Sequence, residues 1–490
     1  MRILVGYVPL KSEKGVPLLS QNRQFQWFSK PTYVYPMVPA SAATLLKSRG
    51  HEVHWLDGIA EELTMEQFEE RYKSIGAEVF LLETKTPVVK MTWRIVDRLK
   101  ELVPSCRIVL CGDHVTAMPE ETLDNCKVDY VLCGGDYDFS LAALVDSIEK
   151  GGEMPSGFWW RGKNGSKETS GSFDLHANNL DELPPIDRDL TRWELYSVKN
   201  GNFRRTPGTY TMAGRDCWWG KCRFCSWTTI YPQWRTRPVE KALDEIGEII
   251  ERYNVKEIFD DSGCFPAGAW LREFCEGMIE RGYNKRVVMG CNMIPGVLSF
   301  EQYKLMAKAG FQFVLFGLES ASETTLARIN KSPAARHISK SMSLARKAGL
   351  RPHVTCMVGY PWETLDDARR TVELTRELFK KGWIDTLQGT IVIPYPGTPL
   401  FDECRENGWL KTEDWDRYDM REPIMKTGIP DDEIMALIRG LYTSFLTPRF
   451  ILRQIRSIRS PADIAYLWKA GLRVLGHLFD FNGHKSQQMR

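Results

Sequence analysis

Gly214-Arg215-Asp216-Cys217-Trp218-Trp219-Gly220-Lys221-Cys222-Arg223-Phe224-Cys225 gathers three of the chain's 12 cysteines into nine residues. It follows an apolar run, Thr209-Tyr210-Thr211-Met212-Ala213, that reads as a β-strand, so the cysteines stand in the loop at a strand's C-terminal end. Three thiolates can close around one metal centre. Four would fill a structural zinc site or an electron-transfer cluster; three leave one coordination position open, and substrate or cofactor chemistry takes place there. Zinc with a distant fourth ligand is the alternative, although zinc sites usually bring their ligands as two close pairs.

Outward from this loop the chain alternates strand and helix. Downstream, strand-like runs at 209–213, 257–259, 287–290, 313–316, 351–358 and 386–393 are separated by helical stretches at 238–253, 267–282, 300–309, 323–348 and 364–381. Six such units predict a partial (β/α)6 barrel over 209–410, with its chemistry at the C-terminal strand ends. Asp260-Asp261 and Gly317-Leu318-Glu319-Ser320 fall at those ends. Upstream, runs at 3–8, 53–56, 78–82, 107–111 and 130–132 alternate with amphipathic stretches near 39–49, 65–75, 89–103 and 138–149. This α/β pattern predicts a doubly wound, Rossmann-like parallel sheet over 1–150, whose ligands lie across the strands' carboxyl ends. Thr84, Gly112, His114, Thr116, Gly134 and Gly135 stand there. Small and hydroxyl residues at these positions suit a large planar or phosphate-bearing ligand, or else ordinary turn chemistry. Residues 151–208, rich in Gly, Ser, Asn and Pro, read as a linker with room for an extended hairpin, and 411–490 read as a helical region.

Composition narrows the class. In 490 residues, 43% are hydrophobic and 26% charged, enough to bury several cores. Lys+Arg 65 against Asp+Glu 63 leaves +2, which argues against nucleic-acid binding by bulk charge. No run of about 18 apolar residues could span a bilayer. Met1–Tyr7 reads as a strand with no small-residue cleavage site after it, so the protein is expected in the cytoplasm, where cysteines stay reduced.

Taken in order, the cysteine motif, Asp260-Asp261, Gly317-Leu318-Glu319-Ser320-Ala321-Ser322, Gly359-Tyr360-Pro361-Trp362-Glu363-Thr364 and Pro394-Tyr395-Pro396-Gly397-Thr398-Pro399-Leu400 resemble a cobalamin-binding radical S-adenosylmethionine (SAM) enzyme. The resemblance runs over roughly 1–410. It implies a [4Fe–4S] cluster on Cys217, Cys222 and Cys225, with SAM on the fourth iron and a 5′-deoxyadenosyl radical as the product of its reduction. Phe224 matches a position that packs on adenine, and Glu319 one that contacts SAM; Glu319's alternative is a local salt bridge at the barrel rim. Ser320 goes with Glu319. Asp260 and Asp261 are placed either at SAM or substrate or at the next helix's cap. The family's usual spacing puts three residues between the first two cysteines, and here there are four; Gly220 absorbs the extra one, since glycine tolerates positive φ.

The same resemblance places a corrin beside Thr84, Gly112, His114, Thr116, Gly134 and Gly135. No histidine precedes His51, so the loop after the first strand supplies no lower cobalt ligand. A sheet that kept the fold and lost the cofactor is the alternative. The implied activity is methylation of an unactivated carbon, with radical cyclisation, ring contraction or C–C coupling as the alternative, and a low-potential reductant such as flavodoxin or ferredoxin as partner. A non-catalytic corrinoid or Fe–S module is the alternative of another class; a carrier needs no SAM pocket. Finally, 448–475 set Arg449, Arg453, Arg456, Arg459, Lys469 and Arg473 against one acid, Asp463, among apolar residues that include Trp468. That pattern reads as an interfacial helix pair at the inner membrane face, favouring a lipid or isoprenoid substrate, or as a cap packed on the barrel.

Overall fold

In the computed structural model, which describes residues 1–19, 25–201 and 203–443, the N-terminal apolar run forms β1 (Arg2–Tyr7), buried from its second residue onward. A short antiparallel hairpin, β2 (Val16–Leu18) and β3 (Gln26–Phe28), follows it. Then come β4 (Glu52–Asp57), β5 (Val79–Glu83), β6 (Arg107–Cys111) and β7 (Tyr130–Leu132). These pair in parallel in the order β4-β1-β5-β6-β7. The order reverses between β1 and β5, which makes the doubly wound sheet the sequence predicts. Its helices follow the amphipathic stretches; Met65–Ile75, for example, opens on a Thr64–Gln67 capping box and closes on Gly76 in the left-handed region.

The segment expected as a linker is largely built into the structure. β8 (Phe158–Arg161) and β9 (Lys167–Thr169) add two antiparallel strands beyond β7. Further on, Leu175, Ile186 and Tyr196 are buried, and so is Arg188, which donates to the Tyr210 carbonyl at 2.8 Å and pairs with Glu245 at 3.0 Å. Gly- and Pro-rich composition described the turns here, while scattered apolar residues did the anchoring.

The second sheet begins with β10 (Gly208–Thr211). A two-stranded ribbon, β11 (Gly214–Arg215) against β12 (Arg235–Thr236), brackets the cysteine loop. β13 (Glu257–Asp260), β14 (Val288–Met293), β15 (Phe311–Glu319), β16 (Arg351–Val358) and β17 (Thr386–Ile391) then join β10 in chain order, all parallel. This is the open six-stranded barrel. Its β17 edge is covered by the helix Asp431–Thr443, where the Tyr442 hydroxyl donates to the Gly389 carbonyl at 3.0 Å and accepts from the Gly389 amide at 3.2 Å. The stretch 323–348 is not one helix. It breaks into Glu323–Arg328, a 3-10 turn Pro333–His337 and Ile338–Lys347, with Asn330 at φ 52° and Pro333 barring continuation.

A buried charge network joins the two units. Arg215 bonds Asp136 at 2.9 Å and Asp138 at 2.9 and 2.5 Å; Arg235 also holds Asp136, at 2.5 and 2.9 Å. Among the described residues no helix is long and apolar enough to cross a membrane. The basic stretch 448–475 lies outside the described residues.

Candidate active site

Nine cysteines of this chain are buried; Cys217, Cys222 and Cys225 are the half-exposed ones, and none of the three is in a disulfide. Their loop is anchored on every side. Asp216 accepts from the Gly263 amide at 2.6 Å, Trp219 Nε1 donates to the Asn330 carbonyl at 2.8 Å, and the Arg223 amide donates to the Ile329 carbonyl at 2.9 Å. Gly220 has φ 56°, so the extra residue of the four-residue spacer is taken up where the sequence placed it. Burial pushes the Cys222 thiol up to about 12 and raises Cys217 as well, and the Lys331 ammonium works against both.

The sulfur spacing bears on what the loop can hold. Ligands of one tetrahedral zinc, with Zn–S near 2.3 Å, stand about 3.8 Å apart. Among the described residues, the group of three His, Cys, Asp or Glu ligand atoms lying within 4.8 Å of one another is His51, Asp146 and Glu149, not the cysteines. The three thiols line one cavity together, and three thiolates leave one position of an iron–sulfur centre open.

The cysteines line a cavity of about 310 Å³ at the barrel mouth. Phe224, Glu319 and Lys331 line it with them. Glu319 ends β15 at φ 60°, beside a register shift, and accepts from Lys331 Nζ at 2.6 Å. Burial alone would lower the Lys331 pKa, but Glu319, Cys222 and Cys217 hold it above the ordinary lysine value, so it stays protonated. Gly317 makes room for the pair, since a Cβ there would meet Glu319 Oε1 at 2.0 Å and Lys331 Nζ at 2.7 Å.

Two of the expected SAM contacts are placed elsewhere. Asp260 does not line the cavity: its carboxylate accepts from Ser262 Oγ (2.6 Å), the Ala213 amide (2.8 Å) and Thr211 Oγ1 (3.0 Å). Burial raises its pKa to about 6 against those bonds. It ties β10 to β13 and caps no helix; the next one, Ala269–Glu280, starts after Gly268. Its neighbour Asp261 lines the cavity instead. Ser320 is fully buried, accepts from the Ser322 amide at 3.1 Å and lies 3.3 Å from Thr371 Oγ1, fastening the rim to the helix Leu365–Lys380.

The walls below are mainly apolar, with Tyr210, Phe259, Phe313, Leu315 and Met357 among them. His353, Thr355 and Gln388 add polar groups from β16 and β17. His353 Nδ1 is 2.8 Å from Thr386 Oγ1, and burial lowers its pKa to about 4, leaving a neutral imidazole. Sequence reasoning missed both His353 and Lys331. A polar residue inside an otherwise apolar strand could have signalled the first; Lys331 sits in what reads as helix and carries no signal.

At the first sheet's strand ends the expected corrin contacts meet atoms of this chain. Thr84 is buried against Thr92 at 2.9 Å, and a Cβ on Gly112 would strike the Thr84 carbonyl. Phe173 covers Gly134 and Tyr231 covers Gly135, donating its hydroxyl to the Gly135 carbonyl at 2.7 Å. His114 is fully buried between Trp93 and Trp415, with Nδ1 3.2 Å from Thr86 Oγ1. Thr116 donates to the Gly112 carbonyl at 2.7 Å, accepts from the Gly134 amide at 3.2 Å and lines a second cavity of about 560 Å³ with Trp159 and Phe173. Aromatic rings thus pack on two of the expected corrin glycines, so a corrin in contact with Gly134 and Gly135 themselves would displace Phe173 and Tyr231.

Comparison with known proteins agrees with this architecture. Residues 213–375 match the radical SAM superfamily and residues 31–140 the B12 binding domain. The chain belongs to the radical SAM enzymes that carry a B12-binding domain. It is 28% identical over 430 residues to an uncharacterized methyltransferase of Pyrococcus horikoshii, covering 86% of this chain and 90% of that one. It is 25% identical over 389 residues to the anaerobic magnesium-protoporphyrin IX monomethyl ester cyclase of Cereibacter sphaeroides, covering 78% of this chain and 62% of that one. Its fold is similar to that of the radical SAM methyltransferase TsrM from Kitasatospora setae, solved with cobalamin and a [4Fe–4S] cluster, at TM-score 0.67 and 16% identity over 83% of this chain and 78% of that one.

Proposed function

We propose that the protein is a cobalamin-dependent radical SAM methyltransferase acting on an unactivated carbon of a lipophilic substrate. The observation that carries this reading is a single cavity lined at once by Cys217, Cys222 and Cys225, by Glu319 and Lys331, and by the apolar interior of the barrel. Cys217, Cys222 and Cys225 hold a [4Fe–4S] cluster, and Phe224, Asp261 and Glu319 bound the SAM space. Cluster, SAM and cobalamin, when bound, supply an electron, a 5′-deoxyadenosyl radical and a methyl group. The chain's own residues position and protect. Phe224 offers a ring face for adenine, and the Glu319 carboxylate accepts hydrogen bonds from SAM's hydroxyl or ammonium donors. Phe259, Phe313, Leu315 and Met357 keep water from a carbon radical. The electron comes from flavodoxin, ferredoxin or a similar low-potential carrier.

The test is full-length protein reconstituted anaerobically with iron, sulfide and cobalamin, reduced, and given methyl-labelled SAM with tetrapyrrole and polycyclic isoprenoid candidates. We expect about four irons and one cobalt per chain, 5′-deoxyadenosine, and label in the product. Zinc in place of iron, or no 5′-deoxyadenosine, would overturn the reading. The cyclase relative supports a second one, with the same radical and no methyl transfer; its mark is 5′-deoxyadenosine with an unlabelled, transformed substrate. The proposal extends to the inner membrane face through 448–475. Full-length protein should sediment with anionic vesicles and a chain ending at 447 should not.

A further inference from the structure

We propose that Lys331 sets the reduction potential of the cluster held by Cys217, Cys222 and Cys225. The inference rests on the cluster assignment above and goes beyond it to a residue outside the motif. Lys331 is a cation, held by Glu319 at 2.6 Å, in the lining of the cavity that Cys217, Cys222 and Cys225 also line.

Its position is built. The helix Glu323–Arg328 stops, the chain turns through Asn330 at φ 52°, and the Lys331 amide donates to the Leu326 carbonyl at 2.9 Å. The same turn is bonded to the cysteine loop twice, through Ile329 and Asn330. Lysine turn and cysteine loop are thus bonded to each other, and Gly317 leaves space for the Lys331 and Glu319 side chains to meet.

The electrostatics follow. Reduction adds one electron to the cluster and makes or breaks no bond; that electron comes from the low-potential carrier. Extra negative charge in a partly desolvated site is costly, and a fixed cation offsets the cost. Lys331 therefore makes the cluster easier to reduce. A single charge about 10 Å away, with an effective dielectric near 20, shifts the reduction equilibrium by about tenfold.

The experiment is an EPR-monitored redox titration of the reconstituted full chain, alone and with SAM, comparing wild type with Lys331→Met, Lys331→Arg and Glu319→Gln. Iron and sulfide content is measured on each. We expect full cluster loading throughout, a more negative midpoint for Lys331→Met, a midpoint close to wild type for Lys331→Arg, and a less negative one for Glu319→Gln. An unchanged midpoint in Lys331→Met with four irons bound overturns the inference and leaves the cluster reading standing. So does a Lys331→Met variant that loses only SAM affinity. Failure of the wild-type chain to take up four irons and sulfides overturns the cluster reading itself. If Lys331→Met does not fold, the Glu319→Gln and Lys331→Arg midpoints decide.

Discussion

The C-terminal edges of the two parallel sheets meet at the domain boundary, yet the barrel's is open at its thiols while the first sheet's is shut over its glycines, with a cavity of about 560 Å³ beside them at Thr116, Trp159 and Phe173. At the barrel's edge, half-exposed thiols and a protonated lysine face a cavity of about 310 Å³. At the first sheet's edge, Phe173 and Tyr231 sit on the glycines, and Trp93 and Trp415 enclose His114. The open edge is organised for ligands in advance. The shut edge buries its polar groups against the protein, so a ligand there must displace contacts before it gains any, and affinity falls by the fraction of molecules already open.

Substitutions can break or sharpen this contrast. The largest effect is expected at the open edge. Cys222→Ala should abolish cluster assembly and SAM cleavage while leaving far-ultraviolet circular dichroism unchanged, because the loop's anchors at Asp216, Trp219 and Arg223 remain; iron analysis and 5′-deoxyadenosine assay check this. Next comes the joint between the edges. Asp138→Ala removes two of the three carboxylate hydrogen bonds of the buried Arg215 guanidinium and leaves it Asp136, which Arg235 shares; the cost should approach the about 3–5 kcal/mol of a broken buried pair, read as a lower denaturant midpoint.

A smaller, pH-dependent effect is expected on the shut edge. Glu83 is buried at the end of β5, where it accepts from the Tyr7 hydroxyl. Burial raises its pKa from 4.5 to about 7, with Lys85 and Tyr7 opposing. The folded state thus binds the proton more tightly than the unfolded chain. The contribution of Glu83 is fully present below about pH 4.5 and is lost as pH rises to about 7. Glu83→Gln should flatten that loss, gaining about 2–3 kcal/mol over wild type at pH 8 relative to pH 4, in denaturation series at both pH values. The smallest effect tests the shut edge directly. Phe173→Ala uncovers Gly134 and should tighten cobalamin binding by about tenfold, followed by absorbance titration. Weaker binding would mean that Phe173 contacts the ligand and does not block it.

Much of this was readable from the residues. The eleven expected strands all form, because parallel strands buried on both faces leave continuous apolar runs with helices between them. The cysteine trio and the role of Gly220 were also legible, since both are local. The buried anchors within 151–208 were not, because single apolar residues scattered among Gly, Ser and Pro show no period.

The amino-acid sequence by itself determined the order of elements, the strand-end location of the chemistry and the three cysteines. Those features depend on nearest-neighbour patterning, which the chain carries everywhere. Only the tertiary structure decided the phase. Side chains alternate across a strand, so Phe259 and Asp261 enter the lumen while Asp260 bonds Thr211, Ala213 and Ser262, and Glu319 enters while Ser320 holds Thr371. A choice between adjacent residues turns on which face the partner strands cover. Long-range approach decided the remainder. A glycine at a strand end declares that something comes close, and only the fold shows that Phe173 and Tyr231 do, or that Lys331 comes from a broken helix into the lining of the cysteines' cavity.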